Sequence, residues 1–471
     1  MGTSTDLTSW SITRQSEALS ARQISAVELV EAYLDRIAAF DGRLHAYSEV
    51  YADDARLAAQ AADLALRAGH ALGPLHGIPV AIKDLVEIDG RITTAGCAAW
   101  GQRHSSITAT LVQRLLGQGM IILGKTHMVE FAYGGWGTNP GMGAPWNPWD
   151  LSRARIPGGS SSGSGVAVAA GLAPWAVGTD TGGSVRLPAS WCGISSLKTS
   201  AGRISNYGVL NLSPTLDTPG PMTATAQDAA LLYQIMQGPD PLDSRTLGLP
   251  SEPGRAGPGR GVAGLRFARM PDSERVGVTQ PVLDAYDRTL DEFARMGAEI
   301  VTLTLPVNFA EVATLNGLVM SAESYALLHD MVDDARQPLD EAVRARVLAG
   351  REITASGYLQ ALAQRKASIE AFDRIFDSVD ALLTPTTAST AIPLDEVDEN
   401  SSPSRFTRFG NFLNLCGMAL PNGHDALGLP TSVQVLCRQY DEAMALRIGC
   451  AYQKETRWHE RRPDLGALAG A

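Results

Sequence analysis

Several residue types and patterns that usually announce a function are scarce in this chain. No apolar run reaches the roughly 18–20 residues needed to span a bilayer. The N-terminus, MGTSTDLTSW, has no positive region followed by an apolar stretch, so neither a membrane protein nor a secreted one is expected. Cysteine occurs five times, at Cys97, Cys192, Cys416, Cys437 and Cys450. That odd, scattered set has no metal-ligand spacing, and reduced thiols in a cytosolic protein are its simplest reading. Histidine occurs eight times, and no His–Asp pair can be identified to complete a hydrolase triad. Lysine is scarcer still, five among 39 basic residues, and one of the five, Lys83, interrupts the apolar run GIPVAIKDLV at 77–86. With a net charge of −11 and no basic cluster, a nucleic-acid surface is not expected.

What is present is enough for a large core, since 45% of the 471 residues are hydrophobic. The first 70 residues read as helical. Ser25 and Glu28 form a capping box, Ile24 and Leu29 a hydrophobic staple, and Val27, Val30, Leu34 and Ile37 follow at helical spacing. An alanine-rich helix is expected over 53–67, a buried strand over 77–86, a helix over 110–116 and a strand over 120–123. From Gly134 to Gly220 the chain is rich in Gly, Ser and Pro and dense in turns. Helices are then expected over 226–236, 281–296 and 358–376, and strands over 299–303, 381–383 and 432–436. PGRAGPGRG at 253–261 reads as a surface loop. Such alternation favours an α/β layered sheet covered by helices.

Three motif matches fail on context. Gly119 to Thr126, GMIILGKT, fits the Walker A pattern, but a phosphate loop follows a strand and its central residues offer backbone N–H groups. Here those residues, Met-Ile-Ile-Leu, are themselves strand-like, so a helix ending at Gly119 before a strand is the better reading. Ser195 and Lys198 fit S-x-x-K without the accompanying S-D-N and K-T-G motifs. Gly159-Ser-Ser-Ser-Gly163 fits G-x-S-x-G, as any serine-rich glycine loop would. His76 reads as a strand-entry residue as readily as a catalyst.

Two glycine-rich stretches remain, Pro157 to Gly171 and Gly178 to Gly193. Glycines allow successive N–H groups to converge on one point, which suits a nucleophilic hydroxyl beside a developing oxyanion; tight capped turns would look the same. Together with the opening run, these stretches resemble the amidase signature family. LHGIPVAIKD (75–84), GGSSSGSG (158–165) and GTDTGGSVRLPASWCGISSLK (178–198) reproduce its three blocks in order. The resemblance is densest from about 70 to 222 and weaker toward both ends, including FGNFLNLCG (409–417). It implies an α/β fold with one large mixed sheet covered by helices on both faces. It also implies one amidase domain over 1–471, with a helical segment to about 70, the signature core to about 222 and the remainder beyond.

The resemblance further implies a Ser–cis-Ser–Lys triad. Ser184 would be the nucleophile, Ser160 the bridging serine after a cis peptide bond, and Lys83 the base. The backbone N–H groups of Thr181, Gly182, Gly183 and Ser184 would form the oxyanion hole, supported by Ser161, Asp180 and Arg186. No metal or organic cofactor is implied. Lys83 must be neutral to accept a proton, and burial lowers a lysine's pKa. Its amine is therefore expected within hydrogen-bond reach of Ser160. By family analogy Tyr133, Gly134 and Trp136, with the helical region around 316–325, would line the substrate pocket.

Two readings of the activity follow. One is a free-standing hydrolase of small-molecule amides, aryl amides, carbamates or esters, with no nucleic acid or membrane partner and compatible with a homodimer. The other is the glutaminase component, the A-type subunit, of a tRNA-dependent amidotransferase complex. That component usually carries FGMGSS where this chain has FAYGGWGTN (131–139), and a glutamine where it has Leu187. It also differs at 212–217, LSPTLD. These departures favour the free-standing amidase.

Overall fold

In the computed structural model, which describes residues 6–249 and 259–468, eleven strands form one mixed sheet. They are β1 (Tyr47–Val50), β2 (Pro79–Lys83), β3 (Ile121–Thr126), β4 (Trp175–Asp180), β5 (Ser195–Lys198), β6 (Thr218–Thr223), β7 (Arg266–Arg269), β8 (Glu299–Val301), β9 (Ala381–Pro385), β10 (Cys416–His424) and β11 (Pro430–Cys437). Across the sheet they run β1-β3-β2-β4-β6-β5-β10-β11-β9-β7-β8. β2 lies parallel to β3 and β4, and β7 parallel to β8 and β9; the remaining pairs are antiparallel. Every residue of β2, β4, β6 and β11 is buried, so helices cover both faces at the centre of the sheet.

Local expectations hold where side-chain period and caps agree. Ser25 and Glu28 close their capping box on the helix Ala26–Leu44, whose buried face includes Leu29, Val30, Leu34 and Ile37. The helices Ala52–Ala68, Thr110–Gly117, Ala226–Met236, Gln280–Arg295 and Ala355–Asp373 stand where the patterns put them. The strand expected over 77–86 is shorter, because Leu85 and Val86 both turn back to donate to the Lys83 carbonyl. The glycine-rich region conceals β6 as well as the helices Ser162–Ala169 and Arg186–Cys192. Most of 253–261 lies outside the described residues.

The rejected motifs resolve in the same way. Gly119 takes φ +76 after the helix Thr110–Gly117, and Gly124, Lys125 and Thr126 are strand residues in register with β2. Their backbone is spent on the ladder and forms no phosphate cradle. Ser195 and Lys198 lie three apart on β5, hence on opposite faces. His76 holds the Ala62 carbonyl at 3.1 Å and accepts from the Leu72 N–H, which is a packing role. Among the described residues no helix is long and apolar enough to cross a membrane, and no cluster of His, Cys, Asp and Glu could hold a metal ion.

Candidate active site

The centre of the sheet gathers the three signature blocks. β2 delivers Lys83 at its C-terminal end. β4, its parallel neighbour, delivers Thr179 and Asp180 at the same end and runs into the turn Thr181–Ser184. The helix Ser162–Ala169 packs on β4, which sets Ser160 and Ser161 beside it. The peptide bond Gly159–Ser160 is cis. Side chains separated by about a hundred residues in sequence thus meet at one strand end.

Lys83 is fully buried, and its Nζ lies 2.8 Å from Ser160 Oγ and 2.8 Å from Thr179 Oγ1. Among the described residues no carboxylate pairs with it. Burial pushes its pKa from the ordinary lysine value down to about 7, although the charges of Asp217 and Asp180 favour the ammonium. The neighbouring strand provides the contrast. Lys125 is equally buried, but its Nζ meets Asp84 Oδ1 at 3.2 Å, the Val86 carbonyl at 2.8 Å and Thr93 Oγ1 at 2.9 Å. Asp84 follows Lys83 in sequence and points to the other side of the sheet, so it neutralises Lys125 and leaves Lys83 unpaired. The Ser161 N–H donates to the Ser184 carbonyl at 3.3 Å, which sets the two serine stretches side by side, and an amine close to its neutral form that touches Ser160 can move a proton.

The turn 180–184 is held from beneath. Asp180, fully buried, accepts from Arg186 Nε at 3.0 Å and Nη2 at 2.9 Å, and from Asn411 Nδ2 at 2.8 Å. Burial alone would raise its pKa, but the Arg186 charge and hydrogen bonds outweigh it and hold the carboxyl at about 2. The remaining guanidinium nitrogen, Nη1, reaches Gln434 Oε1 at 3.0 Å, and Nη2 also reaches Asn411 Oδ1 at 2.7 Å. Thr407 Oγ1 donates to the Gly182 carbonyl at 2.6 Å. Gly183 has φ +133, and a Cβ there would collide with Thr407 Oγ1, so only glycine fits. Ser161 Oγ bridges the Thr179 carbonyl and N–H at 3.2 Å each. Asp217, buried behind Thr181, accepts from its hydroxyl, and burial raises its pKa to about 6.

The expected oxyanion donors divide. The Gly183 N–H donates to Asp180 Oδ1 at 2.7 Å and is engaged. The N–H groups of Thr181, Gly182 and Ser184 have no partner among the described residues and border the cavity above Ser184.

That cavity is lined by Ala132, Tyr133, Gly134 and Gly135 together with Met320, Arg346, Ser404 and Arg408. Tyr133 and Gly134 therefore stand in its wall, and the Tyr133 hydroxyl is 2.7 Å from Ser321 Oγ. Trp136 stands outside the wall. It stacks on Trp191 with centroids 5.7 Å apart and packs with Ile156, Leu187 and Ala391. Its large apolar face packs in that small cluster, and its indole N–H donates to the carbonyl of Ser401, which lines the cavity. Leu187, one of the positions separating the two activity readings, is buried in the same cluster.

Thr179, Asn411, Thr407, Gln434 and Asp217 were not legible as site residues. Three of them lie in stretches the sequence singles out: Thr179 in the block 178–198, Asn411 in the weaker match FGNFLNLCG and Asp217 at the end of LSPTLD. The others are ordinary polar residues that three-dimensional proximity turns into supports.

Comparison with known proteins agrees with the geometry. The profile of the family described as Amidase matches residues 28–446. The chain is 37% identical to the A-type subunit of the glutamyl-tRNA(Gln) amidotransferase of Chloroflexus aggregans, over 95% of this chain and 96% of that one. Among solved structures, it superposes with TM-score 0.81 on the corresponding amidotransferase component from Thermotoga maritima, at 28% identity and 98% coverage of both chains. It also superposes with TM-score 0.89, at 30% identity, on a chain of a vestigial protein complex linked to the origins of an s-triazine catabolic enzyme. That match covers 97% of this chain and 100% of the other.

These matches correct the expected partnership, a small-molecule amide or carbamate with no nucleic acid and at most a second copy of the chain. The relatives matched almost end to end are named as subunits of an enzyme whose name contains a tRNA. The departures at 131–139, 187 and 212–217 carried too much weight, because they lie in the pocket wall and its backing and leave the rest of the chain's similarity intact. Fold, profile and end-to-end similarity agree that the chain belongs to the amidase signature family of hydrolases acting on amide C–N bonds.

Proposed function

We propose that this chain is the glutamine-hydrolysing A-type subunit of a tRNA-dependent amidotransferase, working in a complex. The observation that carries this reading is the 37% identity to a so-named relative, sustained over 95% of one chain and 96% of the other. The site residues are proposed in these roles. Ser184 Oγ attacks the side-chain amide carbon. Its proton passes through Ser160 to the neutral amine of Lys83. The oxyanion is received by the free N–H groups of Thr181, Gly182 and Ser184, which need no reorganisation because Asp180, Arg186 and Thr407 fix the turn. The C–N bond then breaks, the relay returns the proton to the departing ammonia, and water hydrolyses the acyl-serine.

Burial of Lys83 is what makes the relay workable. A lysine at its ordinary pKa would need roughly 4–5 kcal/mol to be neutral at pH 7, and at a pKa of about 7 this cost almost vanishes. The test is ammonia release from glutamine by the chain alone and reconstituted with partner subunits of such an enzyme, beside Ser184→Ala. Glutamine-dependent ammonia release that strengthens in the complex and is lost in Ser184→Ala supports the reading. Turnover of neutral amides with no glutaminase activity in either setting overturns it.

A further inference from the structure

The loop LSPTLD at 212–217 ties two parts of the site together. Its last residue, Asp217, precedes β6, and Thr218 pairs with Asp180 on β4, so Asp217 comes opposite Thr181. Asp217 is buried. Its Oδ1 accepts from the Thr181 hydroxyl at 2.5 Å, and its Oδ2 from the N–H groups of Leu212 and Ser213 at 2.8 and 3.0 Å. One carboxylate thus closes the loop and holds the first residue of the turn Thr181–Ser184. The middle of that turn has its own supports, Asp180 on the Gly183 N–H and Thr407 on the Gly182 carbonyl.

The loop is itself held from the cavity wall. Glu323, on the helix Phe309–Val332, accepts from the Ser213 hydroxyl at 2.5 Å, the Thr215 N–H at 3.0 Å and the Tyr358 hydroxyl at 2.5 Å, and also from the Thr215 hydroxyl. The same helix carries Met320 in the wall and Ser321, which meets the Tyr133 hydroxyl. Among the described residues every donor to Asp217 and Glu323 is a neutral group. Neutral donors leave the charge of Asp217 uncompensated, and such a charge acts strongly on other groups in a water-poor interior.

The group it acts on is Lys83. Lys83 Nζ touches Thr179 Oγ1, and Thr179, Thr181 and Asp217 line one narrow cavity. The charges that favour the Lys83 ammonium are those of Asp217 and, to a lesser extent, Asp180, whose own charge is matched by Arg186. The one like charge facing Asp217 is Glu323, and burial holds the Asp217 carboxyl at about 6. Asp217 is therefore ionised at the pH where Lys83, at about 7, changes its proton.

We propose that Asp217 is a positioning residue for amide hydrolysis: it fixes Thr181 at the oxyanion site and sets a negative charge toward Lys83, and Glu323 is the strut that holds its loop. The proposal rests on the roles given above to Thr181, Ser184 and Lys83, and not on the identity of the amide.

The test measures kcat, KM and the pH profile for the parent, Asp217→Asn, Glu323→Ala, Glu323→Gln and Lys83→Met. Glutamine and a neutral amide are used in turn, on the full chain with and without partner subunits. An asparagine can accept on only one side, so it releases either Thr181 or the loop. Asp217→Asn is expected to lower kcat about 10- to 100-fold with KM within about twofold, because a displaced oxyanion donor is felt in the transition state. It also moves the rising limb of kcat/KM about one pH unit lower, since the charge that favoured the ammonium is gone. Glu323→Ala lowers kcat about 3- to 10-fold and leaves the limb in place, and Glu323→Gln, which keeps one acceptor oxygen, recovers part of the loss. A merely structural role would lower melting temperatures without moving the limb. An unmoved limb in Asp217→Asn, or parent kcat in both Asp217→Asn and Glu323→Ala, overturns the proposal. Should Asp217→Asn not fold, parent kcat in Glu323→Ala, or no recovery in Glu323→Gln, overturns it. The effects are read on whichever amide the parent turns over, so absent glutamine hydrolysis removes the glutaminase reading and leaves this test standing. Failure of the relay shows as a limb that persists in Lys83→Met. Failure of the proposal shows as a limb lost in Lys83→Met and unmoved in Asp217→Asn.

Discussion

Beneath Ser184, Asp180, Arg186, Asn411 and Gln434 satisfy one another at 2.7–3.0 Å, and Lys83 touches two hydroxyls. Above it, Asn316 and the Nε of Arg408 are buried without partners. The floor is built from the signature stretches and from β-strands whose backbone is fixed by the ladder. The wall comes from the helix Phe309–Val332, residues 132–135 and the segment around 401–408, all outside those stretches. Residues that must hold a reaction geometry are satisfied by the protein itself. Residues that choose a substrate are left for the substrate to satisfy. A fold used for many amides can in this way keep one floor and vary its wall.

The contrast can be broken from the floor with large effects. Ser184→Ala should lower amide hydrolysis by on the order of 10^4-fold or more while leaving the melting temperature within a degree or two of the parent. Lys83→Met should cost about 10^2- to 10^4-fold. In the parent chain kcat/KM should rise with pH and level off above about pH 7, because the active base is the neutral amine and its pKa lies at about 7. Lys83→Met should lack this limb. The linkage has a definite sign. Lys83 titrates lower in the folded chain than in the unfolded one, so the unfolded state binds more protons between about pH 7 and 10.5. The Lys83 contribution to stability therefore rises with pH across that window, and denaturant midpoints of the parent and Lys83→Met should converge as pH rises.

Stability experiments sharpen the difference between the two buried lysines. Lys125→Met removes one partner of a buried pair, leaves Asp84 uncompensated and should destabilise by about 3–5 kcal/mol, read as a lower denaturant midpoint. Lys83→Met strands no carboxylate and should not destabilise. Arg186→Met should match Lys125→Met in stability and also lower activity, because Asp180 then loses the partner that holds the turn. The smallest effect is expected at Trp136. Trp136→Phe should cost at most about 1 kcal/mol through its stack on Trp191 and leave kcat/KM within about twofold, since the indole lies outside the cavity.

Much of this molecule was legible because local signals and burial agreed. The capping box at Ser25, the helix Ala226–Met236 and the apolar β2 each follow from a few neighbouring residues. Lys83 was legible as an anomaly, since a lysine in a strand buried on both faces needs a reason. Ser160 and Ser184 were legible through a family resemblance; their glycine-rich setting alone was equally compatible with capped turns. The pocket wall was read less well. Trp136 between glycines looked like a binding residue, but Trp191, 55 positions away, supplies it with a partner. Gly183 looked like one more oxyanion donor until Asp180 was found to occupy its N–H.

The sequence by itself determined the alternation of helix and strand, the order of the signature blocks and the lysine inside an apolar strand, because these depend on spacing along the chain. Only the tertiary structure decided that Asp84 serves Lys125 and leaves Lys83 unpaired. The same holds for the supporting contacts of Thr179, Thr407, Asn411, Gln434 and Asp217 and for the meeting of Asn316 with Arg408 beside Gly182. Those relations join strands and helices up to about 250 residues apart, and a side chain's partner at that separation is set by strand order and packing, which no local pattern encodes.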